Sequence, residues 1–170
     1  MKRLLAIILS MIMLVPFSIG LAEPEEEVDV IEEALKEIQY ENEKAIISCT
    51  GYFFCLSDEN EPMIGIEFTI DNSEHQVRWN NILFGAEFKQ EEISLGFSTT
   101  FNNPDIPPEA VYVEPGEIGK GSMCRVLLNT TSDVVIDFSE LIPDTVITIP
   151  LNETNPRYQE LLDLLETINQ

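Results

Sequence analysis

Three cysteines, one histidine and several clusters of carboxylates are the residues whose types and spacing invite chemistry. Cys49, Cys55 and Cys124 are candidate members of a disulfide if the chain is exported, because an oxidising compartment permits one. Three cysteines allow three single pairings and leave one thiol over. Cys49 and Cys55 lie six residues apart, so a straight strand would hold them about 20 Å apart, far beyond bridging distance. They could meet only if Gly51 reverses the chain. A bridge from either to Cys124 needs neighbouring strands. The alternative is three buried thiols. Nothing around any of the three marks a thiol with a depressed pKa, so no catalytic cysteine is expected.

Nucleophilic hydrolysis needs a base beside the nucleophile. The one histidine, His75, follows the turn Asp71–Glu74 directly and reads as a solvated surface residue. There is no Gly-x-Ser-x-Gly elbow and no glycine-rich phosphate loop ahead of a helix. Zinc is poorly served by one histidine and no Cys-x-x-Cys. Asp58-Glu59-Asn60-Glu61-Pro62 opens like a calcium loop, but Pro62 stands where the fifth position needs an oxygen and Thr69 where the twelfth needs a glutamate. It reads as a solvated turn. A glycosidase pair cannot be chosen among so many carboxylates without geometry. The expectation is therefore no catalytic residue, no metal and no cofactor.

The charge balance narrows the partners. The chain carries 31 acidic and 9 basic side chains, a formal net charge of −22. Such a chain repels nucleic acid, whose binding needs Lys and Arg to displace counterions, and it repels anionic membrane surfaces. Cations, cationic polymers, proteins or neutral small ligands remain.

The elements that must position these residues fall into four stretches. In residues 1–22, Lys2 and Arg3 precede an apolar run from Leu4 to Val15, and Gly20-Leu21-Ala22 offers small residues before a cut. This predicts a signal peptide and a secreted, extracellular protein, free of the membrane once cleaved. An uncleaved anchor is the alternative. Residues 23–44 form an acidic leader in which Val28, Ile31, Leu35 and Ile38 draw one narrow stripe, predicting a helix over roughly 25–42. Residues 45–151 alternate short apolar runs with turns. The clearest run is Ile64, Ile66, Phe68 and Ile70, facing away from Met63, Gly65, Glu67 and Thr69. Val77–Phe88, Ile93-Leu95-Phe97, Cys124-Val126-Leu128 and Val134-Ile136-Phe138 give further strands, and Gly51 and Gly85 are candidate bulges. Seven or eight short strands without crossover helices predict an antiparallel β-sandwich. Residues 155–170 predict an amphipathic helix, with Asn155 as N-cap and Tyr158, Leu161, Leu162, Leu165 and Ile168 on its buried face.

The order of signals resembles the secreted, telokin-like immunoglobulin-like domains of unknown function in Gram-positive bacteria. The strand end Phe68-Thr69-Ile70-Asp71-Asn72-Ser73 stands where that family has (F/Y)-T-N-N-S. Gln90-Glu91-Glu92 stands for its Q-N-G hairpin, and Val113-Glu114-Pro115-Gly116 for its V-x-P-G turn. The resemblance covers residues 45–141 and neither terminal helix. It implies an immunoglobulin-like sandwich and a secreted or surface location, and it carries no active-site residues. The expected function is a non-enzymatic binding or interaction module. Its candidate binding loop is 98–110, with Phe101, Asn102, Asn103, Asp105 and Ile106 near Trp79, since long loops on rigid scaffolds often bind. An inhibitor or chaperone-like accessory working through an open sheet edge, or an exported carboxylate-based hydrolase, are the alternatives.

Overall fold

The computed structural model describes residues 29–41, 45–74, 85–96, 106–108 and 112–168. The predicted signal segment, His75, Trp79, Phe101, Asn102, Asn103 and Asp105 lie outside them.

Among the described residues ten elements follow one another: helix α1 (Val30–Lys36), strands β1 (Gln39–Glu41), β2 (Ile46–Leu56), β3 (Pro62–Asp71), β4 (Glu87–Gln90), β5 (Ile93–Ser94), β6 (Ile118–Val126), β7 (Val134–Asp137) and β8 (Val146–Ile149), and helix α2 (Tyr158–Ile168). The strands form two antiparallel four-stranded sheets, ordered β1-β2-β3-β6 and β5-β4-β7-β8. Ile47, Ile64, Ile66 and Ile70 of the first sheet share one buried core with Phe88, Val134, Ile136 and Ile149 of the second. The predicted inward row Ile64, Ile66, Phe68 and Ile70 is that core's spine.

The leader helix is shorter than its sequence pattern suggests. Asp29 caps it by accepting from the amides of Ile31 and Glu32, both at 3.0 Å, and the helix ends at Lys36. Residues 39–41 are not helical. They pair with Ser48, Ile47 and Ile46 as an edge strand, because the open side of β2 offers those backbone groups partners that a helix would leave unmet. The apolar stripe nevertheless does its work, since Ile31, Leu35 and Ile38 all enter the main core.

The C-terminal helix buries less than predicted. Leu161 is fully buried, Tyr158, Leu162 and Leu165 are half-buried, and Ile168 is exposed. The element packs on β2 and β3 with one edge of its apolar face. The strand predicted through Ile93, Leu95 and Phe97 is short, Ile93–Ser94, with the Leu95 amide still donating to the Phe88 carbonyl at 2.8 Å. Ile93 is exposed and Leu95 buried, and Phe97 lies outside the described residues.

Gly51 marks a bulge, not a reversal. The register of β2 against β3 shifts between Cys49 and Gly51. One extra residue inverts the alternation beyond it. Cys49 therefore faces the main core while Cys55, six residues on, faces the opposite side of the sheet.

Candidate functional site

Of the predicted binding loop, 106–108 are among the described residues, and they are anchored. Ile106 is half-buried and packs on a small cluster formed by Cys55, Met63 and Cys124. The Pro107 carbonyl accepts from the Ser122 hydroxyl, and the Pro108 carbonyl accepts from the Ser122 amide at 3.3 Å. Ile106 thus belongs to a covering layer over the first sheet's outer face. The same contacts occupy part of the β6 edge, as does the Gly96 carbonyl, which accepts from the Val126 amide at 3.3 Å.

None of the three cysteines is in a disulfide, and all are buried. Strand β3 stands between β2 and β6, so the neighbouring strands a Cys124 bridge would require are not formed. Burial pushes the Cys49 thiol up to about 12, which leaves it protonated and unreactive at neutral pH. A hydrogen bond with Cys124 instead holds the Cys55 thiol below its ordinary range, against the opposing effect of burial.

Two of the three motifs behind the family resemblance touch one another. Asn72 is fully buried. Its side-chain amide donates to the Val113 carbonyl at 3.0 Å, and its backbone carbonyl accepts from the Gly116 amide, also at 3.0 Å. The strand-end asparagine therefore holds the Val113–Gly116 turn, where Gly116 has φ +88°. Gln90 holds the other end of the molecule. Its buried side chain hydrogen-bonds the backbone at Leu128, Asn129 and Ser132. Both residues are mechanical joints, and the sequence pattern alone did not reveal which partners they hold.

A cleft of about 630 Å³ opens between the end of β2 and helix α2. Phe54, Leu56 and Leu164 supply apolar lining, with Ser57, Asp58 and Asn60 beside them, and Cys55 also borders it. The polar wall is a rigid turn. The Ser57 hydroxyl accepts from the amides of Glu59 at 3.2 Å and Glu61 at 3.1 Å, and Asn60 sits in the left-handed region at φ 61°. Such a turn spends its backbone donors internally and leaves the Asp58 side chain exposed at the mouth.

The opposite wall is held by a joint around Tyr52. The Tyr52 hydroxyl donates to the Asn155 side chain at 2.7 Å, and the same asparagine oxygen accepts from the Arg157 amide at 2.8 Å. Asn155 thus closes a turn ahead of α2, which starts at Tyr158 and not at Pro156 as the sequence suggests. The Arg157 guanidinium lies 5.2 Å from the Tyr52 ring centre, donates to the Tyr52 carbonyl, and pairs with Glu160 at 2.9 Å. Burial, followed by the nearby Asp29 carboxylate, raises the Tyr52 phenol well above its usual range, so it stays a hydrogen-bond donor throughout ordinary pH. This joint fixes where Leu164 stands over the cleft. No sequence signal identified the cleft, because its two walls are about a hundred residues apart.

Two antiparallel four-stranded sheets with an open cleft at one end, Asp58 at its lip, define a β-rich domain. Among the described residues no helix is long and apolar enough to cross a membrane, and no three His, Cys, Asp or Glu side chains gather as a metal site. No family model, curated protein or solved structure matches the chain.

Proposed function

We propose that this chain is a secreted, non-enzymatic binding module built on an immunoglobulin-like sandwich, and that its cleft takes a peptide segment in which a cationic side chain neighbours an apolar one. The observation that carries the reading is the cleft itself: an apolar floor of Phe54, Leu56 and Leu164 beside the exposed Asp58. Pockets that pair apolar lining with a few placed polar groups are the usual form of ligand sites. A net charge of −22 steers cationic partners toward the surface and repels anionic ones. The sandwich reading is supported by strand order. After β2 and β3 the chain crosses to β4 and β5, returns to place β6 beside β3, and crosses again to place β7 beside β4. In immunoglobulin lettering that is A-B-E facing C′-C-F-G, with β1 added at the A edge. Kinship with the telokin-like domains rests on the sequence at Phe68–Ser73, Gln90–Glu92 and Val113–Gly116. Export rests on the segment 1–22.

A displayed random-peptide library panned on the purified chain tests the proposal. Selected peptides should pair Lys or Arg with a large apolar residue. Their affinity should fall roughly tenfold or more in Leu164→Arg, the loss of about 1.4 kcal/mol or more that a central contact supplies. Binders that are acidic, or that ignore Leu164→Arg while circular dichroism shows the variant folded, would overturn it.

A further inference from the structure

Three sulfur-bearing side chains meet on the outer face of the first sheet, apart from the main core. Cys55 is 4% exposed, and Met63 and Cys124 are fully buried. The register explains the meeting. Cys55 lies opposite Met63, and Cys124 lies opposite Gly65, two residues along β3 and so on the same face. The Cys55 and Cys124 thiols are hydrogen-bonded. Gly65 is what admits the Phe53 ring onto this face: a Cβ there would stand 2.4 Å from the tip of the ring, which lies over it. Phe53, Val126 and Ile106 complete the wall, all half-buried. These six side chains carry sulfur and hydrocarbon alone.

A disulfide is a poor use of this pair. Two strand spacings and the two-residue stagger put the Cα atoms of Cys55 and Cys124 on the order of 11 Å apart in a regular sheet, whereas bridged cysteines have Cα atoms at most about 7 Å apart. A metal ion bridges a wider gap, since a metal–thiolate bond is about 2.3 Å long and two of them span up to about 4.6 Å. Soft thiolate and thioether donors select Cu(I) over harder ions. We infer that Cys55, Met63 and Cys124 form a binding site for Cu(I), with the two cysteines as thiolate ligands and the methionine as thioether. On binding, each thiol releases its proton to solvent and its sulfur takes a bond to the ion. The copper stays monovalent, so no electrons move. The buried unit then carries one net negative charge. The Arg125 guanidinium donates to the Cys124 carbonyl at 2.6 Å from the other face of the sheet, where it lies 5.4 Å from the Phe88 ring centre. The argument for this site does not rest on the cleft reading, although Cys55 borders both.

The test uses the purified full chain, reduced and held under argon, titrated against the Cu(I)–bicinchoninate complex. The expected result is withdrawal of one equivalent of copper, with ultraviolet thiolate-to-copper absorption. Cys55→Ala and Cys124→Ala should abolish withdrawal, and Cys49→Ala should leave it intact. Met63→Leu keeps the side-chain volume and the fold. It should weaken binding at least by the roughly tenfold that loss of even an outer-sphere partner costs. X-ray absorption should count three sulfurs on the wild-type ion and two in Met63→Leu. No withdrawal by the reduced wild type, withdrawal that survives either Cys55→Ala or Cys124→Ala, or withdrawal lost in Cys49→Ala overturns the site.

Discussion

Replacing Gln90 with methionine should destabilise the protein far more than its place beside a surface turn suggests. Gln90 is fully buried at the end of β4. Its Nε2 donates to the carbonyls of Ser132 at 2.6 Å and Asn129 at 3.1 Å, and its Oε1 accepts from the amides of Leu128 at 2.7 Å and Asn129 at 3.4 Å. One side chain thus staples the connection between β6 and β7 to the β4–β5 hairpin. Gln90→Met keeps the length and removes every polar atom. The three shorter bonds are worth roughly 1 kcal/mol each, net of exchange with water. The abandoned backbone groups lie on a partly exposed loop, so water recovers some of their hydrogen bonding and the full cost of orphaned buried groups is not reached. The expected loss is about 3 kcal/mol. For a domain of this size that is roughly 10 °C in melting temperature. Calorimetry and urea denaturation of the two proteins read this directly, and hydrogen exchange at the Leu128 amide should accelerate with it. A fall of under about 3 °C, with Leu128 exchange unchanged, would refute the staple.

Two further outcomes are open to measurement. Glu91 and Glu92 both have positive φ, 50° and 65°, in the two-residue turn between Gln90 and Ile93, where Asn-Gly is preferred. Glu92→Gly should raise stability by about 0.5–1 kcal/mol in urea melts. Glu91→Asn should gain less, because it gives up contacts to Asn129 at 3.2 Å and Ser132 at 2.6 Å. Glu87 and Asp137 face each other across β4 and β7, with Lys89 at 2.7 and 4.0 Å from them. Hydrogen bonds from Lys89 and then Ser94 hold the Glu87 carboxyl below its usual range, and hydrogen bonds from Ser139 do the same for Asp137, with Lys89 adding attraction. Carboxyls lowered in the folded state contribute stability above the ordinary carboxylate range and lose it as pH falls through their lowered values. Lys89→Met should therefore raise the Glu87 pKa in an NMR titration and make acid destabilisation shallower, and an unmoved Glu87 titration would contradict this.

Much of the architecture is legible in the residues themselves. Period-2 apolar runs place Ile64, Ile66, Phe68 and Ile70 on the inner face because a strand half-buried on one side must alternate. Asn155 announces the turn ahead of a helix by the chemistry of its side chain. The stripe Ile31-Leu35-Ile38 reaches the core even though the helix stops at Lys36. The end of that helix was hidden, because the competitor for residues 39–41 is the open edge of a strand seven residues later in the chain. The candidate sites were harder to see. Ile106 read as an exposed loop residue, yet its apolar side chain roofs the sulfur cluster.

Composition and alternation by themselves determine a β-rich, strongly acidic domain flanked by helical segments, because burial patterns and charge are properties of neighbouring residues along the chain. Only the tertiary structure decides where the three cysteines go. A single extra residue at the Gly51 bulge turns Cys49 inward and Cys55 outward, and the return of β6 beside β3 brings Cys124 to Cys55. Likewise the cleft exists only where Leu164 is carried over the end of β2. Such meetings depend on strand order and register, which arise from contacts between distant segments that no local pattern encodes.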